Sequence, residues 1–247
     1  MAEDTRPVAL ITGAARRVGA VIARTLHAAG YDLALHYRQS RLELDALVAD
    51  LESARANSTL ALQADLAEVA RLPGLIDATE ARFGRLDALV NNASTYYATP
   101  FGAITPQQWE ELFAANARAP LFLAQAAAPH LKATRGSIVN ITDIYAERPL
   151  AQHAVYGMSK AALRMATFAL AQALGPEVRV NAVAPGNVLA SEHPVKAETL
   201  EDVIDGTALR RRGTPDDIAG AVLWLLRDAT YVTGQTIRVD GGRILGA

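Results

Sequence analysis

Tyr156 and Lys160 stand four residues apart in the stretch YGMSKAAL, whose apolar spacing predicts a helix. At that spacing the two side chains lie one above the other on the same face. An ammonium beside a phenol favours the phenolate, so the expectation is a tyrosine of lowered pKa, usable as an acid near neutrality. The plainer alternative is an amphipathic tyrosine beside a solvated lysine. A second chemical feature lies near the start, where the apolar run Pro7-Val8-Ala9-Leu10-Ile11 is followed by TGAARRVG. A strand that turns into a helix through spaced glycines makes a phosphate cradle, because the backbone turns tightly and its N–H groups approach a pyrophosphate at the helix N-terminus. Gly13 and Gly19 take the outer positions of such a loop, and Arg17 stands where a middle glycine is usual. A tight turn with no ligand is the competing reading.

The elements that must position these groups follow from periodicity. Short β-branched or Leu-rich runs predict strands over 8–12, 32–37, 59–63, 86–90, 137–141, 178–183 and 236–239. Helical spacing covers 17–29, 41–54, 73–83, 106–132, 155–174 and 215–228. Strands apolar at nearly every position suit a parallel sheet covered on both faces. The expected fold is therefore a single α/β domain over residues 1–247, a Rossmann-type doubly wound sheet of about seven strands, with ligands outside the carboxyl ends of the strands. Four of those ends carry unusual residues: the Arg17 loop, HYRQS at 36–40, NNASTYY at 91–97 and ITDIY at 141–145. The polar stretch within 187–206 is expected to form the substrate loop.

Bulk properties narrow the partners. A chain of 247 residues, 51% hydrophobic, can bury a substantial core. A net charge of -2 without a dense Lys/Arg block offers no footprint for nucleic acid or an anionic membrane, which leaves a small molecule as the expected partner. The absence of cysteine rules out disulfides, a thiolate nucleophile and a Cys-ligated zinc, and the five histidines lack metal-ligand spacing, so no metal is expected. The start MAEDTRP is too polar for a signal peptide and no apolar run reaches the ~18 residues of a membrane span, so the expected location is cytoplasmic. The segment ALRMATFALAQAL is apolar around most of its circumference, which predicts a homotetramer assembled through helices 106–132 and 155–174.

TGxxxRxG, Asp65-Leu66 after the third strand, Asn91-Asn92-Ala93, Asn116 in a long helix, YxxxK and Pro185-Gly186 occur in one order and spacing. In this the chain resembles the short-chain dehydrogenase/reductase superfamily over nearly its whole length. Within it the sequence is most similar to the pteridine reductases. Most members have serine thirteen residues before the tyrosine, glycine at the Arg17 position, and NNAG where this chain has Asn91-Asn92-Ala93-Ser94. Asp143, Arg17 and Ser94 instead resemble the pteridine reductases, as do Leu35-His36-Tyr37, Tyr96-Tyr97 and the stretches PVALITGAARRVG and LVNNASTYYATP.

The resemblance implies NADPH-dependent reduction of C=N bonds in dihydropterins, with oxidised pterins and dihydrofolate as further substrates. It implies cofactor contacts from Gly13, Arg17, Gly19, Leu66, Asn92, Ala93, Pro185 and Gly186, with Asp65 at the adenine and Lys160 at the nicotinamide ribose. Arg17 would bridge the pyrophosphate and the pterin, Ser94 would hydrogen-bond the pterin, and Tyr96 would stack on it. Tyr97 is read as a packing residue. Asn116 would kink its helix to hold a proton-relay water; it, Asp65 and Lys160 have surface or capping roles as alternatives. Cofactor choice is read in His36-Tyr37-Arg38-Gln39-Ser40, which has no acid to repel a 2′-phosphate and offers Arg38 and Ser40 to bind one. A carboxylate opposes the oxyanion of ketone reduction, whereas a carboxyl of raised pKa at Asp143 suits protonation of a ring nitrogen, directly or through Tyr156. Asp143 as a mere turn residue is the alternative. The rival functions are a 3-oxoacyl or sugar carbonyl reductase and a protein that binds NADP without turnover.

Overall fold

The apolar runs pair side by side as β1 (Val8–Ile11), β2 (Asp32–Tyr37), β3 (Thr59–Gln63), β4 (Ala88–Asn91), β5 (Ser137–Ile141), β6 (Arg179–Pro185) and β7 (Thr236–Val239). The computed structural model describes residues 6–188 and 200–246, so the stretch 189–199 of the expected substrate loop lies outside the described residues. All pairings are parallel, in the order β3-β2-β1-β4-β5-β6-β7. The α/β doubly wound sheet of seven strands is as expected.

Helices cover both faces because the strands point apolar side chains to both. One layer contains α1 (Arg17–Ala28), α2 (Arg41–Ala54) and α8 (Pro215–Arg227), whose Ile22, Leu26, Leu47, Ile218 and Val222 bury against the sheet. The other contains α3 (Leu72–Phe83), α5 (Ala119–Thr134) and α6 (Ala154–Leu174), which contribute Leu75, Ile76, Leu123, Leu131 and Leu174. The short helix α7 (Leu200–Asp205) was not anticipated. At the start of α8, Thr214 Oγ1 accepts the Asp217 N–H and the Asp217 carboxylate accepts the Thr214 N–H, a reciprocal box that satisfies two helix-end donors.

The helix expected over 106–132 is broken. It comprises α4 (Pro106–Phe113), a wide π-type stretch over Ala114–Arg118, and α5. Asn116 sits inside the wide turn and is completely buried, and a buried amide must find partners that a regular turn would not bring within reach. Such bulges concentrate at functional sites.

The chain winds outward from β1 through β3, then returns past β1 to β4 and continues the other way. The reversal opens a crevice at the carboxyl ends of β1 and β4, where α/β sheets bind ligands.

Candidate active site

The loop after β1 is shaped by contacts with the loop after β4. Gly13 has φ +63°, and an added Cβ would lie 2.9 Å from Ala93 Cα. A Cβ on Gly19 would overlap the Gly13 carbonyl and lie 2.6 Å from Asn92 Nδ2. Both outer glycines are therefore required by close backbone approach. Arg17 keeps the glycine-like backbone, with φ +55°, a conformation costing about 1 kcal/mol for a residue with a Cβ. Strain of this kind collects at functional sites.

Asn92 Nδ2 donates to the Thr12 and Gly13 carbonyls at 2.9 and 3.0 Å, and Thr12 Oγ1 accepts the Asn92 and Ala93 N–H groups at 3.0 and 3.1 Å. His36 completes the frame: Nδ1 accepts the Gly13 N–H and Nε2 donates to the Ala64 carbonyl, both at 3.2 Å. Burial pushes its pKa down to about 4, so the ring is neutral. Asn92 and His36 border the cavity while their polar atoms brace the loop.

Beyond β2, Tyr37 is buried with its hydroxyl accepting from Arg41 at 3.1 Å, and Arg38 is exposed at the cavity edge. Ser40 precedes α2 without using its hydroxyl to cap it. Asp65 accepts the Ala67 N–H at 2.9 Å, the capping role held open for it, and still faces the cavity beside the buried Leu66. Pro185 ends β6, and a Cβ on Gly186 would sit 2.7 Å from Asp240 Cα. The cavity encloses about 1320 Å³ along the carboxyl ends of the strands. That volume, the glycine-tight loop and the acid-free end of β2 fit a nicotinamide dinucleotide phosphate together with a substrate.

At the centre, Tyr156 Oη donates to Asp143 Oδ2 at 2.6 Å, and Asp143 Oδ1 accepts the Tyr145 N–H at 2.9 Å. Asp143 thus both caps the 3₁₀ turn Ile144–Ala146 and engages the phenol. Lys160 Nζ donates to the Ile141 carbonyl at 2.9 Å and lies 5.8 Å from the centre of the Tyr156 ring. The expected lowering of the Tyr156 pKa is corrected: burial and then the Asp143 carboxylate push it well above the usual phenol value. The carboxylate touches the phenol oxygen, and burial drives Lys160 itself down to about 8. Asp143 is raised by burial.

Asn116 uses its whole side chain within the protein. Its Oδ1 accepts from Ser94 Oγ and the Thr95 N–H at 3.0 and 2.9 Å, and its Nδ2 donates to the Thr95 carbonyl and Ser159 Oγ at 2.9 and 3.0 Å. An amide has two donor and two acceptor positions, so no side-chain position remains for a relay water. Ser159 Oγ in turn donates to the Tyr156 carbonyl at 2.7 Å, which joins Ser94 to α6. Tyr96 stacks on His153 with ring centres 4.8 Å apart and meets Tyr156 edge-on at 4.8 Å. Tyr97 packs against Leu112 and Val155 with its hydroxyl donating to Glu111 Oε2 at 3.0 Å, in keeping with a packing role. Sequence reasoning missed His153 and Ser159; both lie three residues from Tyr156, a helical spacing that could have found them.

The family model for enoyl-(acyl carrier protein) reductase matches residues 13–243. A putative ketoacyl reductase of the granaticin polyketide synthase of Streptomyces violaceoruber is 39% identical, over 96% of this chain and 95% of its own. Pteridine reductase 1 of Leishmania tarentolae is 37% identical, over 96% of each chain. Its alignment spans 280 positions against the 247 residues of this chain, so that relative carries insertions. A 3-oxoacyl-[acyl-carrier-protein] reductase of Synechocystis is 34% identical over 98% of each chain.

Proposed function

The chain belongs to the short-chain dehydrogenase/reductase superfamily of oxidoreductases, and from that premise we propose that it is an NADPH-dependent pteridine reductase acting on the C=N bonds of dihydropterins. The observation that carries this reading is the 2.6 Å contact between Tyr156 Oη and Asp143 Oδ2. Reduction of C=N needs a proton at the ring nitrogen as the hydride arrives, and this contact holds a proton beside the place where a substrate reaches Tyr156. Burial raises both groups, which favours their protonated forms. Ketone reduction gains nothing from a carboxyl group that competes with the substrate oxygen for the phenol proton.

When bound, the nicotinamide supplies the hydride. The Gly13–Gly19 loop holds the pyrophosphate, Arg38 and Ser40 hold the 2′-phosphate, Asp65, Leu66 and Ala93 border the adenine side, and Pro185-Gly186 with Lys160 border the nicotinamide side. Arg17 would serve both cofactor and pterin, and Ser94 and Tyr96 would form the pterin floor. His153 behind Tyr96 fixes that ring, and Asn116 positions Ser94 against α6. A ketone reductase is the second reading, favoured by the 39% identity to the granaticin reductase. NADPH oxidation at 340 nm with dihydropterins, dihydrofolate, 3-oxoacyl thioesters and simple ketones in parallel decides between them: the proposal requires fastest turnover on a dihydropterin.

A further inference from the structure

The turn that carries Asp143 lies along α6 and meets it at three places. At its start, Asp143 Oδ2 accepts from Tyr156 Oη at 2.6 Å. In the middle, the Tyr145 carbonyl approaches Gly157 so closely that an added Cβ would lie 3.1 Å from its oxygen. At the end, Glu147 Oε1 lies 3.4 Å from Arg164 Nε, about two helical turns beyond Tyr156. Tyr156, Lys160 and Arg164 recur every four residues and so share one row on the helix. The phenol and the anchor of the turn therefore stand in line, with Lys160 between them.

Glu147 also reaches the edge strand of the sheet. Its Oε2 accepts from Arg238 Nη2 on β7 at 2.7 Å, and the next residue, Arg148, donates from Nη1 to the Arg243 carbonyl at 3.0 Å. The Glu147 side chain is 18% exposed between its two guanidinium partners, a setting that screens an ion pair less than open solvent does. The turn is short and bonded within itself: the Ala146 and Glu147 N–H groups donate to the Asp143 and Ile144 carbonyls at 3.1 and 3.0 Å. Within Ile144–Ala146 the buried residue is Ile144. A displacement of Glu147 is thus passed to Asp143, and packing at one side chain does little to resist it.

We infer that Glu147 is a positioning residue: paired with Arg164 and Arg238, it pins the far end of the turn to α6 and β7 and so sets the contact between Asp143 and Tyr156. Glu147 is not among the residues that line the cavity, so it acts through the turn. The consequence for turnover rests on the proposed pteridine reductase reading; the anchoring does not.

The test reads the Asp143 carboxyl by ¹³C NMR titration of aspartate-labelled protein, its resonance assigned by its loss in Asp143→Asn, beside kcat and KM for a dihydropterin. Asp143 faces Tyr156 and Lys160 from α6 and the Tyr145 N–H from its own turn, and Tyr96 adjoins the phenol from the loop after β4. All of these stay unchanged in the variants. Glu147→Gln and, separately, Arg164→Gln combined with Arg238→Gln are expected to loosen the turn, admit water to Asp143 and bring its raised pKa down toward the ordinary carboxyl range. Both should lower dihydropterin kcat about fivefold with KM little changed, and Glu147→Asp should recover most of the loss. The arginine pair separates anchoring from bare charge: two lost cations would by charge alone raise the Asp143 pKa, whereas a loosened turn lowers it. Arg238→Gln alone leaves the Arg164 contact in place and should shift the pKa in the same direction, which keeps the test open where the double variant fails to fold. An Asp143 pKa unmoved by Glu147→Gln, or raised in the arginine variants, overturns the inference. A lowered pKa with dihydropterin unreduced, or reduced at the parent rate, upholds the anchoring and overturns the pteridine mechanism instead.

Discussion

His36 Nδ1 accepts the N–H of Gly13 at 3.2 Å, so a side chain at the end of β2 fixes the backbone of the loop proposed to receive the cofactor pyrophosphate. The bond needs a ring protonated only on Nε2, which the Ala64 carbonyl and burial enforce. His36→Leu is expected to weaken NADPH binding on the order of tenfold, read by quenching of intrinsic fluorescence. The folded pKa, about 4, lies below the unfolded value of 6.5, so stability from this site is present above the unfolded value and is lost as pH falls toward 4. The leucine variant should lack that part of the acid-side decline in Tm; an identical decline in both proteins would contradict the assignment.

Lys160 gives the opposite trade. Burial lowers it from 10.5 to about 8, so the unfolded chain binds the proton more strongly and the ammonium costs roughly 3 kcal/mol of stability below pH 8. Lys160→Met should raise Tm at neutral pH while abolishing turnover. The gap in Tm should narrow as pH rises from 8 to 10.5, because the wild-type lysine then loses its charge in the folded state. A methionine variant less stable at pH 7 would show that the bond to the Ile141 carbonyl outweighs desolvation.

The proposed preference for NADPH is argued from Arg38 at the cavity edge and from an acid-free stretch over 36–40. NADPH should bind at least about tenfold more tightly than NADH, and Arg38→Asp should narrow or invert the preference by placing a like charge at the 2′-phosphate. Paired titrations check this, and equal affinities in the unmodified protein would refute it.

Trp109 on α4, Leu121 and Phe122 on α5, and Met158 and Met165 on α6 are all exposed large apolar side chains. Their number on one run of helices supports the homotetramer expected from sequence. Sedimentation should give four chains at micromolar concentration and fewer when Met165→Glu and Phe122→Glu are combined; a monomeric parent would end the proposal.

Strand positions were legible as short β-branched or Leu-rich runs and most helices by their apolar spacing, and β2, β3, β5 and β7 span the residues expected. The Tyr156–Lys160 pairing was legible as an i, i+4 spacing on one helix. The direction of the Tyr156 pKa was not, because it depends first on burial of the phenol and then on its contact with the Asp143 carboxylate, neither of which a local spacing states. His36 shows the same limit. It reads in the sequence as one of several polar residues beside a phosphate, and only the pairing of β2 with β1 and β3 reveals that both ring nitrogens brace the backbone. The broken helix at Asn116 was half legible: an amide in an apolar run signals an interruption, while the wide turn and the four bonds that fill it come from α6 and the loop after β4.

The Tyr156–Asp143 pair is the centre of the account, and one measurement reaches it directly: dihydropterin turnover by Asp143→Ser, with NADPH affinity determined on the same preparation. Serine can still accept from the phenol but supplies no carboxyl proton, so kcat should fall on the order of 10²-fold at unchanged NADPH affinity. Adding Tyr156→Phe should cost less than the sum of the single losses, since both groups serve one proton path. Turnover of dihydropterin by the serine variant at the parent rate would contradict the account and leave Asp143 as the cap of the Ile144–Ala146 turn.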